Sequence, residues 1–120
     1  MRNRIGDNAR LNHILDAISE IETYLQNADY EMFLKHSMMR FACIKQLEII
    51  GEASVHISEE IKIKFREIEW GQIKGMRNSY VHEYFGIDLK LVWEIINDDL
   101  PQLKASIANI LAFLSENQDL

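Results

Sequence analysis

The sequence predicts an all-α protein, an up-and-down bundle of four to five helices, and three observations carry that prediction. Apolar residues recur at steps of three and four along most of the chain, the period of one helix face. Five Gly and one Pro in 120 residues are too few for the many tight connections of a sandwich or barrel. Val occurs three times and Thr once, so the composition of strands is missing although Ile is abundant.

A first helix is expected over 7–26, where Leu11, Ile14, Leu15, Ile18, Ile21 and Leu25 trace one stripe and Asp7 is available as N-cap. Asn27-Ala28-Asp29 is the only break before the next helix, which makes the two antiparallel neighbours. That second helix is expected over 30–56, about 40 Å long. Phe33, Leu34, Met38, Phe41, Ile44, Leu47 and Ile50 would face inward, and Gly51 would mark a close helix crossing or a bend. Ser58-Glu59-Glu60 reads as a helix start for a short segment over 61–68, and Trp70 opens another over 70–80. Asp88 caps a helix over 89–97 after the Gly86-Ile87 turn, with Leu91, Val92, Trp93, Ile95 and Ile96 on it. Asp98 and Asp99 read as turn and cap residues. Pro101 suits the first turn of a last helix carrying Leu103, Ile107, Ile110, Leu111 and Leu114. No linker or repeat divides the chain, so residues 1–120 are expected to form a single helical domain.

Composition narrows the function. A hydrophobic fraction of 48% excludes a disordered acidic tail. The lone cysteine, Cys43, rules out an internal disulfide, weighs against a thiolate zinc site, and is expected to be a small buried residue. The first residues are polar rather than a signal region, and no uncharged apolar run is long enough to span a membrane, so a cytoplasmic protein is expected. The net charge of −6 argues against a nucleic-acid partner, yet it is uneven. Lys62, Lys64, Arg66, Lys74 and Arg77 face only Glu67 and Glu69 in their stretch. Such a strip is compatible with a phosphate-bearing substrate, or with a plain solvated helix face.

Beyond the strip, the string from Gly75 to Gly86 packs Arg77, Asn78, His82, Glu83 and Tyr84 together. On an ideal helix Arg77 and His82, five apart, point about 140° away from each other. They meet on one ligand if the helix ends between them or if a second subunit completes the site. Arg and His together suit RNA cleavage, because RNA brings its own nucleophile, the 2′-hydroxyl. An imidazole serves as base or acid, and a guanidinium stabilises charge on the crowded phosphate. One His cannot be both at once, so a symmetric dimer with a shared cleft is favoured. An isolated pair of this kind is more simply read as basic residues complementing a helix C-terminus.

The longer pattern decides between these. Arg77, four residues, His82, one residue and Tyr84 form the R-x4-H-x-Y signature, and the chain resembles the HepT-like toxins of the HEPN superfamily. Ile50-Gly51-Glu52-Ala53, Trp70, Gly75-Met76-Arg77-Asn78, Tyr84-Phe85-Gly86-Ile87-Asp88, Trp93 and Leu100-Pro101 extend the resemblance over essentially the whole chain. The resemblance implies an all-helical, homodimeric, metal-independent endoribonuclease, the toxin of a type VII toxin–antitoxin pair. It implies Arg77 and His82 as the catalytic pair, with Asn78 as the supporting polar residue. It also implies an MNT-type nucleotidyltransferase antitoxin that transfers AMP from ATP to Tyr84. No cofactor and no metal site are expected.

Other polar residues are given plainer roles. His13, His36 and His56 show no ligand spacing and are read as surface or capping residues. Lys45, Glu48 and Glu52 read as an ion-pair ladder on a helix, although Glu52 lies in the family-like string and is a candidate for ordering the site. Met38 and Met39 are assigned to core or dimer packing, and Tyr80 to packing or RNA contact. Two rivals stand beside the ribonuclease: a non-catalytic HEPN subunit serving a nucleotidyltransferase, and a purely structural helical module. A neighbouring nucleotidyltransferase reading frame would remove the second. RNA cleavage in EDTA would separate the first.

Overall fold

The computed structural model describes residues 2–77 and 88–117, and apart from turns and connections these residues are helical. The elements are α1 (Arg2–Tyr24), α2 (Tyr30–Lys35), α3 (Ser37–Val55), α4 (Glu59–Lys64), α5 (Trp70–Gly75), α6 (Leu89–Glu94) and α7 (Leu100–Glu116). A π-helical turn, Ile95–Asp99, joins α6 to α7. The architecture is the all-α bundle that the periodicity predicts.

The three long helices make its frame. Gln46 Nε2 of α3 donates to Tyr24 Oη at 3.1 Å, while the other end of α1 meets Ser58 beyond the end of α3, so α1 and α3 run antiparallel. On the other side Lys104 of α7 reaches Glu22 of α1 at 3.0 Å. Leu11, Ile14, Ile18 and Ile21 of α1, Leu47 and Ile50 of α3, and Ile107 and Ile110 of α7 are all fully buried between them. Each such side chain contributes roughly 1.5–3 kcal/mol on leaving water. Trp93 ties α6 to α2, its ring 5.7 Å from Tyr30 and 5.1 Å from Phe33.

Local capping follows the sequence reading at Ser58 and Asp88, and Asp29 adds a third cap. Asp29 accepts from Met32 N–H at 2.9 Å, Ser58 from Ile61 N–H at 3.3 Å, and Asp88 from Leu91 N–H at 3.0 Å. Asn27 takes the left-handed conformation, φ 64°, in the turn before α2, a region that Asn tolerates better than most residues.

Elsewhere the structure corrects the sequence reading. Asp7 is not a cap, because α1 already begins at Arg2. Its carboxylate is buried and accepts from the Ser58 N–H at 2.7 Å and the Ser58 hydroxyl at 2.6 Å. A buried carboxylate needs such donors, and the nearest lie across the fold. The expected 40 Å helix is also divided. His36 leaves helical geometry at φ −111°, ψ 92°, and its Nδ1 accepts from Met39 N–H at 3.3 Å. The Arg40 guanidinium takes up the Leu34 carbonyl that the break exposes. Phe33 stays buried, but Leu34, Met38 and Phe41 are exposed rather than facing inward, Met38 by 76% and Phe41 by 58%. Finally, 98–99 is not a break. Pro101 has no N–H to offer the carbonyl four residues back, and the chain widens instead, with Leu100 N–H bonded to Ile95 O. Asp99 makes no side-chain capping bond there.

Candidate active site

Gly51 is where the site begins. A Cβ on this residue would lie 2.5 Å from Arg77 N, 2.8 Å from Arg77 Cβ and 3.1 Å from Arg77 Cα. Only a glycine lets the end of the α5 segment approach α3 so closely. Buried Ile73 and Met76 press α5 inward, and Trp70 Nε1 fixes its start by donating to the Phe65 carbonyl at 3.1 Å. Of the two expectations for Gly51, the close crossing is the one realised.

The crossing delivers the Arg77 side chain to the next residue of α3. Arg77 Nη1 donates to Glu52 Oε1 at 3.0 Å, and the other carboxylate oxygen, Oε2, lies 3.0 Å from His56 Nε2. The hydrogen bond from His56, and after it that from Arg77, hold the Glu52 carboxyl below the usual glutamate range. Glu52 thus leaves the helix-surface ladder and orients the arginine. The ladder reading holds for Lys45 and Glu48, which pair at 3.7 Å.

These side chains line an open groove of about 530 Å³. Its floor and one wall are α3, through Lys45, Glu48, Ile49, Glu52, Ala53 and His56; α1 supplies Arg10 and His13, and Arg77 closes one side. His13 and His56 are exposed and His56 is the C-cap of α3, as their reading as surface or capping residues expects, and the fold adds that both line the groove with Arg77. The four-residue step from Glu52 to His56 was a local signal for one of them. Nothing local marks His13, which reaches the groove only because α1 packs on α3. His36 does cap, as expected.

The basic strip is dispersed by the fold. Lys62 Nζ sits 6.0 Å from the Trp70 ring centroid and Lys64 Nζ 4.7 Å from that of Phe113. Of the strip's five cations only Arg77 lines the groove. Cys43 is fully buried, and burial pushes its thiol up to about 11, which leaves it unreactive. Among the described residues no group of His, Cys, Asp or Glu is arranged to hold a metal ion, and no helix is long and apolar enough to cross a membrane. Asn78, Tyr80, His82 and Tyr84 lie outside the described residues.

Chemically, the arrangement presents a half-buried guanidinium on the lining of an open groove, its position fixed by a carboxylate. Such a group is suited to meeting a phosphate oxygen through a planar fork.

Comparison with known proteins agrees with this chemistry. The model of the family described as HepT-like, "Ribonuclease HepT-like", matches residues 14–110. The chain is 38% identical over 99 residues to "Putative RNase MJ1380" of Methanocaldococcus jannaschii, covering 82% of this chain and 91% of that protein. It is 37% identical over 100 residues to "Probable ribonuclease HepT" of Thermococcus cleftensis, covering 83% and 91%. Similarity to "Putative RNase TTE0752" of Caldanaerobacter subterraneus is 34% over 101 residues, covering 84% and 90%. No solved structure matches the chain.

Proposed function

The chain belongs to the HepT-like ribonuclease family, and on that premise we propose that it is a metal-independent endoribonuclease, the toxin of a type VII HEPN/MNT toxin–antitoxin pair. The observation that carries the reading is Arg77, delivered by the Gly51 crossing to an open groove and held there by Glu52 at 3.0 Å. Arg77 stabilises charge on the phosphate being attacked. One His82 takes the proton of the 2′-hydroxyl as that oxygen bonds to phosphorus. A second His82 protonates the departing 5′-oxygen, leaving a cyclic phosphate and a free 5′-hydroxyl. Asn78 supports the arginine.

Two His82 side chains require two subunits, and α3 offers a surface for a second copy. Met38 and Phe41 are exposed at helical spacing ahead of Lys45, Glu48 and Glu52, so all five share one face of α3. An apolar contact there would set the two grooves side by side. Control falls to Tyr84, whose phenol oxygen attacks the α-phosphorus of ATP on the antitoxin and releases pyrophosphate. The attached AMP places an anion and a purine beside Arg77, competing with RNA for the guanidinium.

The deciding experiment is RNA cleavage by purified protein in EDTA. Wild type should cleave, while Arg77→Ala and His82→Ala should be inactive yet folded. Cleavage by either variant at the wild-type rate refutes the catalytic assignment. A wild type that binds but never cleaves RNA would make this chain a non-catalytic subunit instead.

A further inference from the structure

The α1 wall of the groove has no role in the chemistry above. Arg10 and His13 are three residues apart, so they lie on one face of α1, and that face lines the groove. Neither side chain makes a hydrogen bond or ion pair with any described residue. The groove's carboxylates cannot serve them, because each is already engaged. Glu52 holds Arg77 and His56, both at 3.0 Å, and Glu48 pairs with Lys45 at 3.7 Å. Even with neutral histidines, three cations face two carboxylates here, on a chain whose net charge is −6. The groove is therefore a local positive track on an acidic body, with its surplus on the α1 side.

The track is also long. From Lys45 to His56 it follows three turns of α3, about 16 Å, which is more than one phosphodiester occupies. Arg77 meets this space at Glu52 from the α5 side, while Arg10 and His13 line it from α1. We propose that Arg10 and His13 form a second phosphate site, holding an RNA phosphodiester that neighbours the one being cleaved. The proposal rests on the ribonuclease reading. Arg10 offers a fork of donors to phosphate oxygens, and His13 adds a further N–H. Contacts of this kind fix the register of the strand without reading its bases. They also resolve the conflict between an acidic protein and an RNA substrate, because the attraction is local.

The test compares two substrates that differ in phosphate number. A dinucleotide has only the scissile phosphodiester, whereas a decanucleotide reaches the second site. Arg10→Gln/His13→Gln should raise KM for the decanucleotide about tenfold or more, since hydrogen bonds to a charged group are lost, and leave kcat unchanged. Dinucleotide cleavage should be the same in both proteins. Binding of the decanucleotide to the His82→Ala protein should lose about 0.7 in its log–log salt slope for each phosphate contact removed. Arg10→Lys, which keeps the charge, should recover part of the affinity and guards against a variant that fails to fold. Equal losses on both substrates would place Arg10 and His13 at the reacting phosphate and overturn the proposal. An unchanged decanucleotide KM would overturn it as well. If wild type cleaves neither substrate, the ribonuclease reading has failed, and an unaltered salt slope in the His82→Ala background then refutes the second site by itself.

Discussion

Replacing Gly51 by alanine tests the feature on which the site depends. In an ordinary exposed helix the change would stabilise by about 1 kcal/mol, because Ala is the better helix former. At this position the added methyl would sit 2.5 Å from a backbone nitrogen, and ordinary contact begins near 3.4 Å, so Arg77 must retreat by about 0.9 Å. Backbone cannot yield as a side-chain tip can, and overpacking of this kind costs about 1–3 kcal/mol. The net expectation is a loss of up to about 2 kcal/mol, with the melting temperature down by roughly 5 °C. The effect on cleavage should be larger than the effect on stability. A misplacement near 1 Å in a catalytic group can cost about 10²-fold, so Gly51→Ala should remain folded and lose about two orders of magnitude in kcat. Gly71→Ala is the matched control, since nothing lies within 4 Å of its added Cβ. Thermal unfolding followed by circular dichroism, with RNA cleavage on the same samples, reads both effects. A Gly51→Ala protein that melts higher than wild type and cleaves normally would show that the close crossing has no part in placing Arg77.

Four further outcomes are expected. Asp7→Ala should lower stability by about 2–3 kcal/mol, because it strands the Ser58 donors, while cleavage per folded molecule is retained; denaturant unfolding beside an activity assay checks this. Glu52 has a folded-state pKa below its unfolded value, so its contribution to stability is complete above the ordinary glutamate range and is lost as pH falls through the lowered value; side-chain carboxyl NMR should find Glu52 titrating below the ordinary glutamate range, and an ordinary midpoint would contradict the Arg77–Glu52–His56 geometry. Phe41→Asp should yield a monomer by size-exclusion chromatography and abolish cleavage, whereas an active monomer would end the shared-cleft mechanism. Tyr84→Phe should keep cleavage but gain no mass from antitoxin, ATP and magnesium; AMP found on this variant, for example at Tyr80, would reassign the modified tyrosine.

What could be read from the sequence is what depends on neighbours along the chain. The apolar stripes of α1 and α7 repeat within single helices, and Ser58 and Asp88 cap residues only three positions away, so local spacing sufficed for them. The signature around Arg77 was legible for the same reason, whereas Gly51 stood out only as a close crossing or a bend, a choice made by the packing of the α5 segment on α3. Features with distant partners were not. Asp7 looked like a cap because its true donors lie 51 residues away at Ser58. The break at His36 depends on Arg40 folding back to Leu34, which helical periodicity does not register, and with it Met38 and Phe41 turn from core to surface. The groove itself is tertiary. Glu52 reaches Arg77 across 25 residues, and Arg10 and His13 join them only because α1 packs antiparallel on α3. A chain encodes its helices by local period, but a site drawn from three helices exists only once burial of their apolar faces has brought them together.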